Sequence, residues 1–201
     1  MTARKAKLLF ATTNKGKVRE LRELVGDVVE VVSLADVPPV PEPEEDGDTF
    51  EANAVKKALE YAKATGLPAL ADDSGLCVDA LDGGPGVLSA RYAEGDDKAR
   101  YEKLLMELSG VPDAERGASF RCALALVWPD GRTHVEEGRC EGRIGHEARG
   151  THGFGYDPVF MFPDTGRSMA ELTSEEKSAV SHRGAAFRKM KSRLLELGKD
   201  E

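Results

Sequence analysis

Ala69-Leu70-Ala71-Asp72-Asp73-Ser74-Gly75 runs from a short apolar segment into two adjacent carboxylates, then into a Ser and a Gly. The apolar segment reads as a strand end, where side chains alternate, so Asp72 and Asp73 point to opposite sides. One carboxylate then faces a cleft, and the other braces a turn that Ser74 and Gly75 favour. An ordinary Asx-type turn accounts for these residues taken alone. What favours a metal–phosphate site is the rest of the chain, which supplies a partner for each role such a site needs.

The chain has 201 residues and reads as one domain over 1–201, with room for two lobes. Forty per cent hydrophobic residues suffice for a core. No apolar run approaches the roughly 20 residues needed to span a bilayer, which excludes a membrane partner of that kind. The basic start is followed only by Leu8-Leu9-Phe10-Ala11, too short for a signal-peptide core, so a cytoplasmic protein is expected. Cys77, Cys122 and Cys140 are odd in number and show no CxxC spacing, so they read as small thiols in a reducing compartment. The net charge of −8 argues against a nucleic-acid-coating surface. It leaves room for an anionic small substrate held by a few local lysines and arginines.

The outward pattern is alternately strand and helix. Residues 7–12 read as a buried strand, followed by the polar turn Thr12-Thr13-Asn14-Lys15-Gly16-Lys17 and a helix on which Val18, Leu21, Leu24 and Val25 recur at helical spacing. A helix start with Lys15 and Lys17 beside it is an anion site, although the Walker A pattern is absent. A second strand covers 28–34. Residues 36–49 are rich in Pro and acids and read as a loop, one of whose acids could reach a metal. Asp48 or Thr49 caps a helix from 50 to about 64, on which Asn53 and Lys57 lie one turn apart. After the Asp72-Asp73 turn comes a weak strand over 76–81, then a glycine-rich connector at 82–87 and a helix to about 109. Residues 110–117 read as a polar linker. Strands at 120–128 and 133 to about 143 form a hairpin.

Gly150-Thr151-His152-Gly153-Phe154-Gly155-Tyr156-Asp157-Pro158 sets two aromatics and an acid among glycines. An aromatic there suits stacking on a flat ligand. A surface loop with one aromatic folded inward fits the same residues. Thr173 and Glu176 fit a capping box, and the helix they open carries Lys177 towards Ser181-His182-Arg183-Gly184. A last helix runs from about 185 to 197. His182 alone reads as a structural hydrogen-bonding residue.

Six segments occur in one order: Ala11 to Lys17; Thr49 to Ala54 with Lys57; Ala71 to Leu76; Pro85-Gly86 with Ser89 to Tyr92; Gly153 to Pro158; and Ala170-Glu171-Leu172 through Glu176-Lys177 to Gly184. Together they resemble the inosine triphosphate pyrophosphatase family, enzymes that hydrolyse non-canonical purine nucleoside triphosphates. The resemblance runs from residue 8 to about 190. It implies an α/β fold with a long central mixed sheet, flanking helices and two lobes around a cleft, usually as a homodimer. It implies hydrolysis of ITP, dITP and XTP to the monophosphate and pyrophosphate with Mg²⁺, which cleanses the nucleotide pool.

By match, Thr12, Thr13, Asn14, Lys15, Gly16, Lys17 and Lys57 would hold the phosphates. Asp73 would be general base and metal ligand, Glu45 a second metal-binding acid, and Ser74 a substrate contact. Phe154, Gly155, Tyr156, Asp157, Lys177, His182 and Arg183 would hold base and sugar. Ala52 departs from the family's usual Glu before the Asn, and Glu51 stands next to it. Arg183 only donates, so it suits the 6-oxo group of hypoxanthine or xanthine and opposes the 6-amino group of adenine. A nucleotide sensor without catalysis and a pyrophosphatase with a loose base pocket remain as alternatives, and a nucleic-acid module is the remotest.

Overall fold

The computed structural model describes residues 5–13, 15–25 and 28–197; of Lys15, Gly16, Glu20, Glu23 and Leu24 it describes the backbone alone. The described strands form one six-stranded sheet in the order β2-β1-β3-β4-β5-β6. These are β1 (Ala6–Phe10), β2 (Val29–Ser33), β3 (Ala69–Val78), β4 (Gly117–Val127), β5 (Thr133–Ile144) and β6 (Phe160–Met161). β1 runs parallel to both β2 and β3, and β5 runs antiparallel to β6, so the sheet is mixed as expected. The chain divides into two compact units.

The first unit comprises residues 1–73, 123–137 and 186–201. α1 (Lys15–Val25) connects β1 to β2, whose register runs from Ala6 opposite Val29 to Phe10 opposite Ser33. Leu8, Leu9 and Phe10 have no exposure, as befits a parallel strand covered on both faces. α2 (Phe50–Thr65) is capped by Thr49, whose hydroxyl accepts the Ala52 N–H at 3.1 Å. It ends at Gly66, where φ is 69°, a left-handed conformation that glycine adopts without a side-chain clash. Ala54, Ala58 and Ala62 lie on its buried side and pack with Ala69, Ala71, Ala123 and Ala125. Small residues on both surfaces let helix and sheet approach closely, which brings helical side chains within reach of the strand ends.

The second unit comprises residues 74–122 and 138–185. Its core joins Leu76 and Val78 of β3 to Leu104 and Leu108 on and after α3 (Asp97–Glu107), to Phe120 and Ile144, and to Tyr156, Phe160 and Met169. The segment 110–117, polar in sequence, includes Arg116, which is 2% exposed. Its guanidinium donates to the carbonyls of Leu108, Ile144 and Gly145 at 2.7, 2.8 and 2.6 Å. Three carbonyl partners satisfy a buried cation that the sequence places in a linker. α4 (Ser174–Val180) begins with the expected Thr173–Glu176 capping box. α5 (His182–Leu197) starts three residues before the expected position, so His182 is its first residue.

One expectation fails outright. Asp72-Asp73-Ser74-Gly75 is not a turn: β3 continues through it from Ala69 to Val78. Leu70 and Ala71 before it and Leu76 and Val78 after it have no exposure. Burying such side chains contributes about 1.5–3 kcal/mol for each large one. That outweighs the local turn preference of Asp, Ser and Gly, and holds the strand extended. Cys122 and Cys140 are buried and Cys77 half-buried, and none is disulfide-bonded. Burial pushes the Cys140 thiol up to about 11, which leaves it almost wholly protonated at neutral pH. Among the described residues no helix is long and apolar enough to cross a membrane.

Candidate functional site

In the first unit, β3 presents two carboxylates to two different helices. Asp72, 7% exposed, accepts from Lys17 Nζ of α1 at 2.9 Å on Oδ1 and at 2.8 Å on Oδ2. A carboxylate so buried needs a cation beside it to remain charged. Asp73 is half-buried, and its Oδ2 accepts from Asn53 Nδ2 of α2 at 2.9 Å. Partners on separate helices are what alternation along a strand dictates.

One turn along α2 from Asn53, Lys57 donates to Glu45 Oε1 at 2.7 Å. Burial alone would lower the Lys57 ammonium. The Glu45 hydrogen bond and the charges of Glu45, Asp72 and Asp73 outweigh it, so its pKa is raised. Lys57 therefore stays a cation through neutral pH. Thr12, half-buried, and Thr13, exposed, line with Lys57 a cavity of about 330 Å³ that Tyr61 and the proline-rich Val37 to Val40 segment also border. Asn14 lies outside the described residues, as do the side-chain positions of Lys15 and Gly16; the backbone of both belongs to the start of α1. Lys56, next to Lys57 on α2, pairs with exposed Asp46 at 2.7 Å. Glu51 is exposed in the first turn of α2.

In the second unit the glycine-framed loop separates its two aromatics. Phe154 is 56% exposed, whereas Tyr156 is 4% exposed and donates its hydroxyl to the Ser89 carbonyl at 2.9 Å. Of the two rings, Tyr156, which the resemblance sets at base and sugar, is the one folded into the core, as the inward-ring alternative allows. Lys177 Nζ lies 4.7 Å from the Phe154 ring centre and the Arg183 guanidinium 5.9 Å from it. Asp157, 3% exposed, holds this group together. Its Oδ2 accepts the Phe154 N–H at 2.8 Å and also pairs with Lys177. Gly153 has φ of 80°, and a Cβ there would stand 2.0 Å from Asp157 Oδ2, so only glycine lets the loop close over this acid.

His182 is buried and stacked on Phe120, with ring centres 5.0 Å apart and planes inclined by 15°. Ser74 follows Asp73 on β3 and is half-buried. Gly155 donates its N–H to Asp97 Oδ2 at 2.7 Å. Asp97 is the residue that sequence reasoning passed over, and Asn53, paired with Lys57 by helical spacing, was given no role. Asp97 reads as one more acid at a helix start, and nothing local connects it to a loop more than fifty residues on. Asn53 did carry a signal, a polar amide on a buried helix side shared with Ala54, Ala58, Tyr61 and Ala62.

These features define an α/β chain on a mixed sheet, with a lysine–carboxylate set in one unit and an exposed aromatic flanked by cations in the other. Residues 8–193 match the model of the Ham1 family, and the chain belongs to that family. It is 53% identical over 191 residues to the dITP/XTP pyrophosphatase of Geobacter sulfurreducens, covering 94% of this chain and 96% of that protein. It is 54% identical over 186 residues to the protein of the same name from Desulforamulus reducens, covering 91% and 92%. A solved structure of a HAM1 protein from Coxiella burnetii matches it with a TM-score of 0.89 at 42% identity, over 95% of this chain and 99% of that one. The membership expected from the six ordered segments is thus shown.

Proposed function

We propose that this chain hydrolyses ITP, dITP and XTP to the nucleoside monophosphate and pyrophosphate. What carries the proposal is Asp73: a half-buried carboxylate held by a helix amide, one helical turn from a lysine whose charge is secured. That is the arrangement needed to take a proton from water beside a bound polyanion. Relatives at about half identity are named dITP/XTP pyrophosphatases, which supports two of these substrates, dITP and XTP.

In the reaction a water oxygen bonds to the α-phosphorus, the α–β bridging P–O bond breaks, and the water proton goes to Asp73. Lys17 and Lys57 offset charge that builds on the phosphate oxygens. Thr12 and Thr13 supply hydroxyl donors, Lys15 and Gly16 backbone donors at the start of α1, and Ser74 a further contact, while Asn14 enters this set by the family resemblance alone. Asp73 and Glu45 offer hard oxygens of the kind Mg²⁺ takes. Among the described residues no group of three or more His, Cys, Asp or Glu could hold a metal ion. The donor set therefore fits an ion that completes its shell with water and substrate phosphate, as Mg²⁺ commonly does, rather than a closed protein cage. An ion held by Asp73 and Glu45 would supply positive charge that offsets the charge of the phosphate groups.

Base selection belongs to Phe154, Lys177 and Arg183, with Gly155, Asp157 and His182 shaping their surroundings. Phe154 offers a ring to stack on. Arg183 and Lys177 only donate, which suits a 6-oxo acceptor and leaves a 6-amino group facing a cation. Tyr156 acts from the core by anchoring the loop. The enzyme works as a cytoplasmic homodimer on the free nucleotide pool, with neither nucleic acid nor membrane as partner.

Pyrophosphate release from ITP, XTP, GTP and ATP, each with and without Mg²⁺, tests this. Metal-dependent release from ITP and XTP, far faster than from GTP and ATP, is the expected result. Tight ITP binding without release would sink the hydrolase and leave a sensor. Equal rates on all four would keep the chemistry and remove Arg183 from base selection.

A further inference from the structure

Asn53 is 1% exposed, the least exposed polar side chain of α2. A buried amide has a carbonyl and an NH₂ to satisfy, and leaving either without a partner is costly. Both are used. Oδ1 accepts the backbone N–H of Gly47 at 2.7 Å, and Nδ2 donates to Asp73 Oδ2 at 2.9 Å. Gly47 belongs to the acidic loop, two residues after Glu45. The loop is fitted to the amide: a Cβ at position 47 would stand 2.8 Å from Asn53 Oδ1 and 3.0 Å from the Ala52 Cβ. Only a residue without a side chain brings the Gly47 N–H this close.

We propose that Asn53 is a positioning residue that fixes the rotation of the Asp73 carboxylate and ties it to the Glu45-bearing loop, so that both acids are presented as one unit. This rests on the assignment of Asp73 as base. The amide is suited to the task in a way its near-isosteres are not. Leu has similar bulk and makes neither bond. Asp can still accept from Gly47 but sets a second negative charge against Asp73. The donor that Asn53 offers is neutral, so it orients Asp73 without cancelling its charge. Lys17 does the opposite to Asp72.

The test compares N53D, N53L, G47A and D73N with the natural chain, all full length, with circular dichroism and thermal midpoints reporting the fold. N53D and N53L should lower kcat for ITP by about 10- to 100-fold, the range for residues that orient a site's ligands. KM for ITP should change by less than about threefold, because the bond lost matters in the transition state. G47A should move kcat the same way by a smaller factor. Without nucleotide, Mn²⁺ titrated into N53L should bind about tenfold more weakly. The N53L/D73N double variant should be no slower than D73N alone.

Values of kcat within twofold of the natural chain in both N53D and G47A would overturn the proposal, whether or not N53L folds. So would kcat and KM moving together with the thermal midpoint, which marks a merely structural residue. If D73N loses turnover while the Asn53 variants keep it, only the role of Asn53 falls. If D73N itself keeps turnover, the base assignment falls and this proposal with it.

Discussion

Lys17 in the first unit and Lys177 in the second are each paired with a nearly buried carboxylate, Asp72 and Asp157, both 5% exposed at the side chain. Their surroundings differ. Lys17 reaches from a helix to a sheet carboxylate, in a unit where Lys57, Glu45 and Asp73 add further charge of both signs. Lys177 sits beside the open ring of Phe154, and its carboxylate also holds that ring's backbone. The same ion pair thus has two uses. In one place it keeps opposite charges ordered where phosphate and metal are proposed to bind. In the other it steadies an exposed aromatic on which a flat ligand is proposed to stack. An ion pair by itself does not say which; the neighbouring side chains do.

The largest effect that would break the comparison is at Asp73. D73N should keep its fold and lose at least about a hundredfold in turnover, the usual scale for removing a positioned base. Turnover near normal would take Asp73 out of the base role. Next is the buried pair itself. K17M removes the lysine that pairs with buried Asp72 and should cost about 3 kcal/mol of stability, with most of it recovered in K17M/D72N. Urea unfolding measures both, and a K17M midpoint equal to the natural chain's would mean that Asp72 is solvated.

On the second unit's side, F154A should raise KM for ITP by about tenfold with kcat little changed, since one stacked base contributes about 1–3 kcal/mol. Steady-state kinetics would show the reverse split if the loop instead aligned the reacting phosphate. Smallest is R183A, which should narrow the preference for ITP over ATP by about tenfold while leaving ITP turnover close to normal. An unchanged ratio would hand the 6-position to Lys177 or to a backbone group.

Much of this molecule could be read from the chain alone. Helical spacing on 50–64, the capping box at Thr173 and the strand before Asp72 were legible because each is a local pattern, set by neighbours within a turn or two. The six ordered segments identified the family, and they named Asp73, Lys57 and Phe154 as residues of interest. The chain did not reveal that Asp72-Asp73-Ser74-Gly75 stays extended, because burial of residues on both sides of it outweighs what those four residues prefer. Nor did it reveal that Tyr156 turns into the core while Phe154 stays out, since a ring between glycines is sterically free to do either. Asn53 bonding Asp73 as well as nearby Gly47, and Asp97 reaching Gly155, depend on distances through space that no local pattern sets. Local chemistry determined which elements form and which side chains can react. Packing of the apolar surfaces decided which of those side chains meet, because only the folded sheet and its helices set the distances on which hydrogen bonds and ion pairs depend.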